Sequence, residues 1–205
     1  MSAHPLIDEL LAKPRLFDER GRANELLQAY FEGLSTETLR PLLRSQDLWG
    51  LRSASFIAAE LGPRSQPLLE DVIPLLASDD RHVQNYAMEV LTSCCTGAHA
   101  ECFAHVVRKL ASADEGIRKQ ALDQVARASR AQLEGALNVL ERLPGPPAHT
   151  HGLRVLLATD GRAVNVARAM SGDVDPLVRA YADVVLKRSQ RRARSRSPLE
   201  RMCPS

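Results

Sequence analysis

Aromatic residues are scarce in this 205-residue sequence, at 4% of the chain with a single tryptophan. None of them interleaves with the arginine-rich C-terminal stretch, so the sequence lacks the stacking platform on which proteins bind single-stranded nucleic acid. Long apolar runs are missing as well, because charged residues interrupt each apolar stretch before it reaches a membrane-spanning length. These absences argue against a membrane protein and against recognition of bases by stacking.

The four cysteines do not form a disulfide framework. Cys94 and Cys95 are adjacent, and the other two, Cys102 and Cys203, are unevenly spaced. The first residues, Met-Ser-Ala-His-Pro-Leu-Ile-Asp-Glu, lack the basic and then apolar segments of a secretory signal. We therefore expect a reduced, cytoplasmic protein that does not bind membranes.

An aspartate opens the same short pattern at three places. Three residues after it comes a β-branched residue, then a polar residue that is usually arginine, and then alanine three positions further on. The copies span residues 80–87, 114–121 and 175–182, and a looser copy at 47–54 has one more residue before its arginine. The spacings between the aspartates are 33, 34 and 61 residues, so the last is close to two periods. A period of this length, built from helical segments, predicts an α-solenoid.

Each aspartate follows an apolar stretch and a turn of small residues, as a helix N-cap does. The apolar residues on both sides of each turn recur at helical spacing, so every copy predicts an antiparallel pair of helices. We expect an all-α fold: a right-handed α-solenoid of about five repeats. An N-terminal helical cap is expected at residues 1–34, repeats at 35–187, of which the fourth is degenerate, and a disordered basic tail at 188–205.

The template resembles the HEAT-repeat family, in which each unit is an antiparallel helix pair. In that family the aspartate and arginine of the second helix tie adjacent repeats together by hydrogen bonds. The residues that match those positions are Asp80, Asp114, Arg118, Asp175 and Arg179, while Gln84 departs from the arginine. The resemblance implies that these residues serve the scaffold and that function lies on the residues between them.

Charge is distributed unevenly along the chain, although the net value is only +2. Residues 187–205 carry seven basic residues and one acidic residue, a charge of +6. Residues 1–80 carry 13 acidic and 8 basic residues, a charge of −5. An acidic first half favours a basic partner, because opposite fields accelerate association. Nucleic acid is not expected as a partner except through the basic tail.

No catalytic signature is present: the sequence has no nucleophile with an ordered base, no glycine-rich phosphate loop and no pair of carboxylates in a catalytic pattern. Cys95, His99, Cys102 and His105 have the donor types of a tetrahedral zinc site. However, His99, Cys102 and His105 lie at three-residue steps, which drift around a helix, so buried thiols and solvent-facing imidazoles are the better interpretation. We expect no metal, no cofactor and no enzymatic activity.

A second resemblance concerns the first third of the chain. The stretches at 17–27, 39–45 and 52–62 are similar to small bacterial HEAT-type proteins that act as immunity partners of polymorphic toxins. That resemblance implies a monomeric protein that binds its cognate toxin, possibly a basic nuclease, and blocks its active site or access to it. The alternative is a HEAT-like DNA-binding protein or alkylpurine DNA glycosylase, which would need a basic groove with several aromatic residues and a carboxylate. HEAT-like bilin lyases share only the fold.

If the chain binds a protein, the second helices should present the contacts. Trp49 is the foremost candidate, and its bulk near a helix start suits either a core position or a binding anchor. The predicted contact residues are Trp49, Arg52, Glu60, Arg81, His82, Asn85, Glu89, Glu115, Lys119 and Asp123.

Overall fold

The fold is an all-α helical repeat, as the sequence predicts. The computed structural model describes residues 4–158 and 162–200, and within these ranges it contains helices and no β-strand. None of the helices in this part of the chain combines the length and the apolar character that a bilayer crossing requires. The chain divides into two compact units, Met1–Thr96 and Gly97–Ser205, where the sequence analysis predicts one domain over residues 1–187.

The first unit opens with three short helices, in the region where an N-terminal helical cap is predicted. Two helix pairs follow, and 3₁₀ segments at Thr36–Leu39, Gly62–Leu68 and Ile73–Ala77 extend their first helices. Pro41, Pro67 and Pro74 lie in these irregular first helices, where a missing N–H favours short 3₁₀ pieces over a long α-helix. The α-helices are α1 (Pro5–Ala12), α2 (Pro14–Glu19), α3 (Ala23–Phe31), α4 (Arg40–Leu43), α5 (Leu48–Glu60), α6 (Leu69–Val72) and α7 (Arg81–Cys94).

The second unit begins with the 3₁₀ segment Gly97–Phe103. Its α-helices are α8 (Ala104–Arg108), α9 (Glu115–Arg127), α10 (Arg130–Arg142), α11 (Pro147–Leu157), α12 (Arg162–Met170) and α13 (Pro176–Glu200). The final helix, α13, packs against both α9 and α11. Tyr181 of α13 is fully buried, and its ring lies directly over Gly152 of α11.

All four aspartates of the template begin a helix, and the four turns share one construction. The aspartate carboxylate accepts a hydrogen bond from the backbone N–H three residues on, and in the last turn two residues on. The aspartate's own N–H donates to the side chain two residues before it, which is a serine in three turns and Asp173 in the fourth. These bonds satisfy donors that a helix start otherwise leaves open.

The polar residue four positions after the aspartate holds the turn that precedes its own helix. Gln84 donates to the Ser78 carbonyl at 2.6 Å and Arg118 to the Ser112 carbonyl at 2.8 Å. Arg179 does the same with the carbonyl of Asp173 at 2.6 Å. The resemblance implied that these arginines tie neighbouring repeats together. For Arg118 and Arg179 that expectation is corrected, because their hydrogen bonds close a turn within one repeat.

Ties between repeats in the first unit come from other arginines. Arg52, which lies one position later in the looser copy, donates to the Asp80 carboxylate of the next repeat from Nε at 3.0 Å and from Nη2. The extra residue turns its side chain by about 100° around the helix, away from its own turn and toward α7. Arg40 of α4 and Arg44, the residue that follows α4, both donate to the buried carboxylate of Asp71 in α6.

The last helix extends further than the sequence predicts. The tail was expected to be disordered from residue 188, but α13 continues to Glu200. Lys187 pairs with Asp123 of α9 at 2.7 Å, and Arg188 donates to the carbonyl oxygen of Ala128 at 2.8 Å. Both contacts lie at the predicted boundary, so they join the residues at 187 and 188 to α9. Residues 201–205 lie outside the described ranges.

Candidate functional site

The second helices of the first unit, α5 and α7, pack side by side and present one continuous surface. On α5, residues 49, 52, 56 and 60 recur at steps of three and four, so they share a side of the helix. On α7, residues 82, 86 and 89 do the same. We call this surface the α5–α7 face; its residues are Trp49, Arg52, Phe56, Glu60, His82, Tyr86 and Glu89.

Trp49 is half-buried, so it is neither a core residue nor a freely exposed ring. Two guanidinium groups lie over it: the central carbon of Arg52 is 5.0 Å from the ring centroid and that of Arg15 is 5.8 Å away. Both distances are within the range of a cation–π interaction. The arginines fix the orientation of the indole while part of its surface stays open to a partner.

Arg52 connects the tryptophan to the frame of the repeats. Its guanidinium contacts Trp49 and also forms the ion pair with Asp80. Hydrogen bonding to Asp80 raises the pKa of Arg52, and the same hydrogen bonds lower the pKa of the Asp80 carboxyl. The charge of Arg52 is therefore largely compensated from within the chain.

A hollow of about 220 Å³ opens next to this pair. Phe56 and Tyr86 contribute two rings in an edge-to-face arrangement, with centroids 5.7 Å apart. Ser53 is fully buried and donates a long hydrogen bond of 3.4 Å to the Asp18 carboxylate from α2. The hollow is lined by Asp18, Ala23, Arg52, Ser53, Phe56, His82 and Tyr86.

The surroundings of the hollow are negatively charged. Partial burial raises the pKa of the Tyr86 hydroxyl, and the carboxylates of Glu89, Asp18 and Glu60 raise it further in that order. Arg52 acts in the opposite direction and lowers it. Three carboxylates thus act on this phenol against one cation, and that cation is paired with Asp80.

The structure brings together only part of the predicted contact set. Arg52 and His82 line the hollow, Trp49 lies against the guanidinium of Arg52, and Glu60 and Glu89 act on Tyr86 in its wall. Arg81 is exposed at the start of α7, and Asn85 is half-buried. Phe56 and Tyr86 each stand four positions after a predicted residue, on the same side of the helix, and helical spacing could have indicated them. The five lining residues that the sequence did not predict are Asp18, Ala23, Ser53, Phe56 and Tyr86.

The remaining predicted residues belong to the second unit. Glu115 and Lys119 are exposed and line a groove of about 770 Å³ between α9 and α13. Asp123 is half-buried and pairs with Lys187. These three residues belong to the second unit and are not among the residues that define the α5–α7 face.

Among the residues with described side chains, no group of three or more histidine, cysteine or acidic residues is placed to hold a metal ion. Cys95 is buried and His99 is exposed, while Cys102 and His105 are half-buried. Burial, followed by the charge of Arg108, lowers the pKa of His105. The neighbouring Cys94 is also buried, and burial raises the pKa of its thiol to about 11, which makes it a poor nucleophile at neutral pH.

No protein-family model matches the sequence, and no curated protein matches it either. Two crystal structures of engineered proteins, both from the Northeast Structural Genomics Consortium, are similar to it in fold. One has 17% identity and a TM-score of 0.53, and the match covers 91% of this chain and 95% of the other. The second has 17% identity and a TM-score of 0.55, covering 90% of this chain and 57% of the other. At this identity the likeness concerns the fold alone.

Proposed function

We propose that this chain is a non-catalytic protein-binding module whose partner docks on the α5–α7 face. The observation that carries the proposal is Trp49, a large aromatic side chain that is half-exposed and held in place by two arginines. A fixed, partly open aromatic ring beside charged groups is the usual composition of a binding hot spot. The adjoining hollow gives the partner a place to insert a side chain.

The partner we propose is a basic protein, and more specifically a bacterial toxin that this chain neutralises as an immunity protein. Two arguments support this: the resemblance of the first third of the sequence to HEAT-type immunity proteins, and the charge of −5 on residues 1–80. Opposite charges on the partners would accelerate association and favour a rapid capture of the toxin. The DNA glycosylase alternative needs a basic groove, and the excess of carboxylates around Tyr86 does not favour one.

The immunity role requires a toxin gene beside this one, and the test is binding to the toxic domain that such a gene encodes, measured by isothermal titration calorimetry. Trp49→Ala should weaken binding by tenfold or more, as hot-spot truncations do, roughly 1.4 kcal/mol or above. The thermal unfolding midpoint should change little, because the ring is only half-buried.

A pair of charge reversals provides the matched control. Glu60→Lys on the α5–α7 face should reduce affinity, while Glu70→Lys on the exposed side of α6 should not. Both changes alter the net charge equally, so a difference between them reports local contact. Equal affinities for these two variants, together with an unchanged affinity for Trp49→Ala, would rule out the proposed face. A neighbouring gene that encodes no toxin would rule out the immunity role.

A further inference from the structure

The hollow on the α5–α7 face has the dimensions of a single side chain. Its volume is about 220 Å³. Pockets for drug-sized ligands and cofactors have roughly 300–1,000 Å³, so this one is too small for most of them. It is nevertheless several times the volume of one water molecule, which is about 30 Å³. A side chain inserted from a docked protein is the occupant that fits this size.

The charge of the hollow selects the kind of side chain. Asp18 contributes a carboxylate to the wall of the hollow. The carboxylates of Asp18, Glu60 and Glu89 all act on the Tyr86 hydroxyl in the same wall. Arg52 also lines the hollow, but its guanidinium donates two hydrogen bonds to Asp80 and lies over the ring of Trp49. The carboxylates of Asp18, Asp80 and Glu60 in or near the hollow therefore outnumber the single guanidinium that lines it, which favours an incoming cation.

The shape of the wall distinguishes arginine from lysine. Phe56 and Tyr86 offer aromatic surface beside the carboxylate of Asp18. A guanidinium can lie flat on an aromatic ring and also form a bidentate pair with a carboxylate, whereas an ammonium is a strongly hydrated point charge. The buried Ser53 hydroxyl lies 3.4 Å from the Asp18 carboxylate, so a polar group of the wall faces the proposed ion-pair acceptor.

We propose that this hollow receives one arginine side chain of the protein partner, with Asp18 as its ion-pair acceptor and Phe56 and Tyr86 as its aromatic walls. This inference rests on the proposed function and adds to it the residue type that the partner must present. The partner's contact surface would then contain an exposed arginine that projects into the face, next to the surface that covers Trp49.

The inference can be tested without the partner. The full chain, labelled with ¹⁵N, is titrated with the peptide acetyl-Gly-Arg-Gly-amide and with its citrulline counterpart, which has the same shape but no charge. We expect amide shifts centred on residues 53, 56 and 86. The citrulline peptide should bind about tenfold more weakly, which corresponds to about 1.4 kcal/mol. Equal binding of both peptides, or shifts centred outside the hollow, would overturn the inference.

A substitution that preserves shape tests the role of Asp18. Asp18→Asn keeps an acceptor for Ser53 and should abolish most of the preference for arginine over citrulline. Glu70→Gln removes an exposed carboxylate from α6 and serves as the matched control, which should retain the preference. If Asp18→Asn keeps the full preference for the arginine peptide over the citrulline peptide, Asp18 is not the ion-pair acceptor. Because the two peptides are first compared on the unsubstituted chain, the test does not depend on the folding of a variant.

Failure of this inference can be told apart from failure of the proposed function. If the toxin domain binds and Trp49→Ala weakens binding, but Asp18→Asn has no effect, the docking face stands and the arginine assignment is wrong. If the arginine peptide binds at the hollow but the toxin domain does not bind, the partner is wrong and the assignment of the hollow stands.

Discussion

Asp80 has two roles that a single substitution can separate. Its Oδ1 caps α7 by accepting the Val83 N–H at 3.0 Å, and its Oδ2 pairs with Arg52 of the preceding repeat. Asparagine caps a helix about as well as aspartate does, but it carries no charge. Asp80→Asn therefore removes the ion pair and leaves the cap in place.

We expect Asp80→Asn to lower the free energy of unfolding by about 1–2 kcal/mol, since the carboxylate is largely shielded and its partner would lose a charged acceptor. Asp47→Asn is the control: Asp47 caps α5 through the Gly50 N–H at 2.8 Å and is exposed, so the expected loss is within about 0.5 kcal/mol. Urea unfolding followed by circular dichroism measures both. Equal losses would mean that the Arg52 pair contributes nothing.

Position 152 requires glycine because the ring of Tyr181 occupies the space of a side chain, and not because of its backbone angles. A Cβ at this position would lie 2.1–2.4 Å from ring carbons of Tyr181, which is far inside van der Waals contact. Gly152→Ala should therefore cost about 2–3 kcal/mol through overpacking, because Tyr181 is fully buried and cannot move aside. Gly145→Ala, where no atom lies within 4 Å of the added carbon, should be nearly neutral. A thermal midpoint for Gly152→Ala equal to that of Gly145→Ala would contradict the packing described here.

At the scale of elements, the sequence predicts where the second helices start, but it does not predict which groups their arginine side chains bind. The aspartate, the small residue before it and the apolar spacing are local signals, and all four predicted helix starts are present. The target of each arginine depends on rotation around the helix. A shift of one position sends Arg52 to Asp80 and leaves Arg118 on its own turn. Such a difference is hard to recognise in a pattern before the turn geometry is known.

The sequence predicts the part of the candidate site that lies on the second helices, and not the part that comes from another helix. Arg52 and His82 in the hollow, and Trp49 beside Arg52, follow from the choice of the second helices as the binding surface. Phe56 and Tyr86 share that face by simple helical spacing and could have been included. Asp18 comes from α2, which is distant in sequence from both helices, and only tertiary packing brings its carboxylate to Ser53.

The C-terminal helix α13 is fixed on α9 by polar contacts that the sequence pattern did not reveal. Arg188 donates to the backbone carbonyls of Val125 and Ala128 near the end of α9. Those carbonyls lie where a helix leaves its acceptors open, and a cation is favourable there.

Arg188→Met should lower the free energy of unfolding by about 1–2 kcal/mol and increase amide hydrogen exchange in α13. Methionine retains much of the aliphatic length while removing the donors. Arg168→Met on the exposed side of α12 is the matched control and should have no measurable effect. Unchanged exchange rates in α13 for Arg188→Met would show that apolar packing alone holds the helix.

At the scale of the whole molecule, the two units differ in the groups that respond to acid. His149 is buried in the second unit and shares a hydrogen bond of 2.9 Å with the Tyr181 hydroxyl. Burial, followed by the charge of Arg108, lowers the pKa of His149 from 6.5 to about 4. The unfolded chain binds a proton at this site more readily than the folded chain does. The free energy of unfolding is therefore highest above about pH 6.5 and falls as the pH drops toward 4.

We expect the second unit to lose about 2 kcal/mol of stability between pH 7 and pH 4.5, with each pKa unit worth about 1.4 kcal/mol at most. Hydrogen exchange read separately for α5 and α7 and for α11 and α13 measures the difference between the units. Asp80 in the first unit has a lowered pKa, so it stays ionised over this range. His149→Gln should flatten the response in α11 and α13. An equal loss of protection in both units would assign the acid response to other groups.

The construction of the four turns has a consequence for how such a chain can change over evolutionary time. The Ser78 hydroxyl, the Asp80 carboxylate and the Gln84 amide close one turn within a single short stretch of sequence. No distant residue takes part in these three bonds. A duplication or deletion of the stretch therefore adds or removes a complete turn with its hydrogen bonds. The number of repeats can therefore change by whole segments, while the helix surfaces between the turns can diverge and bind new partners.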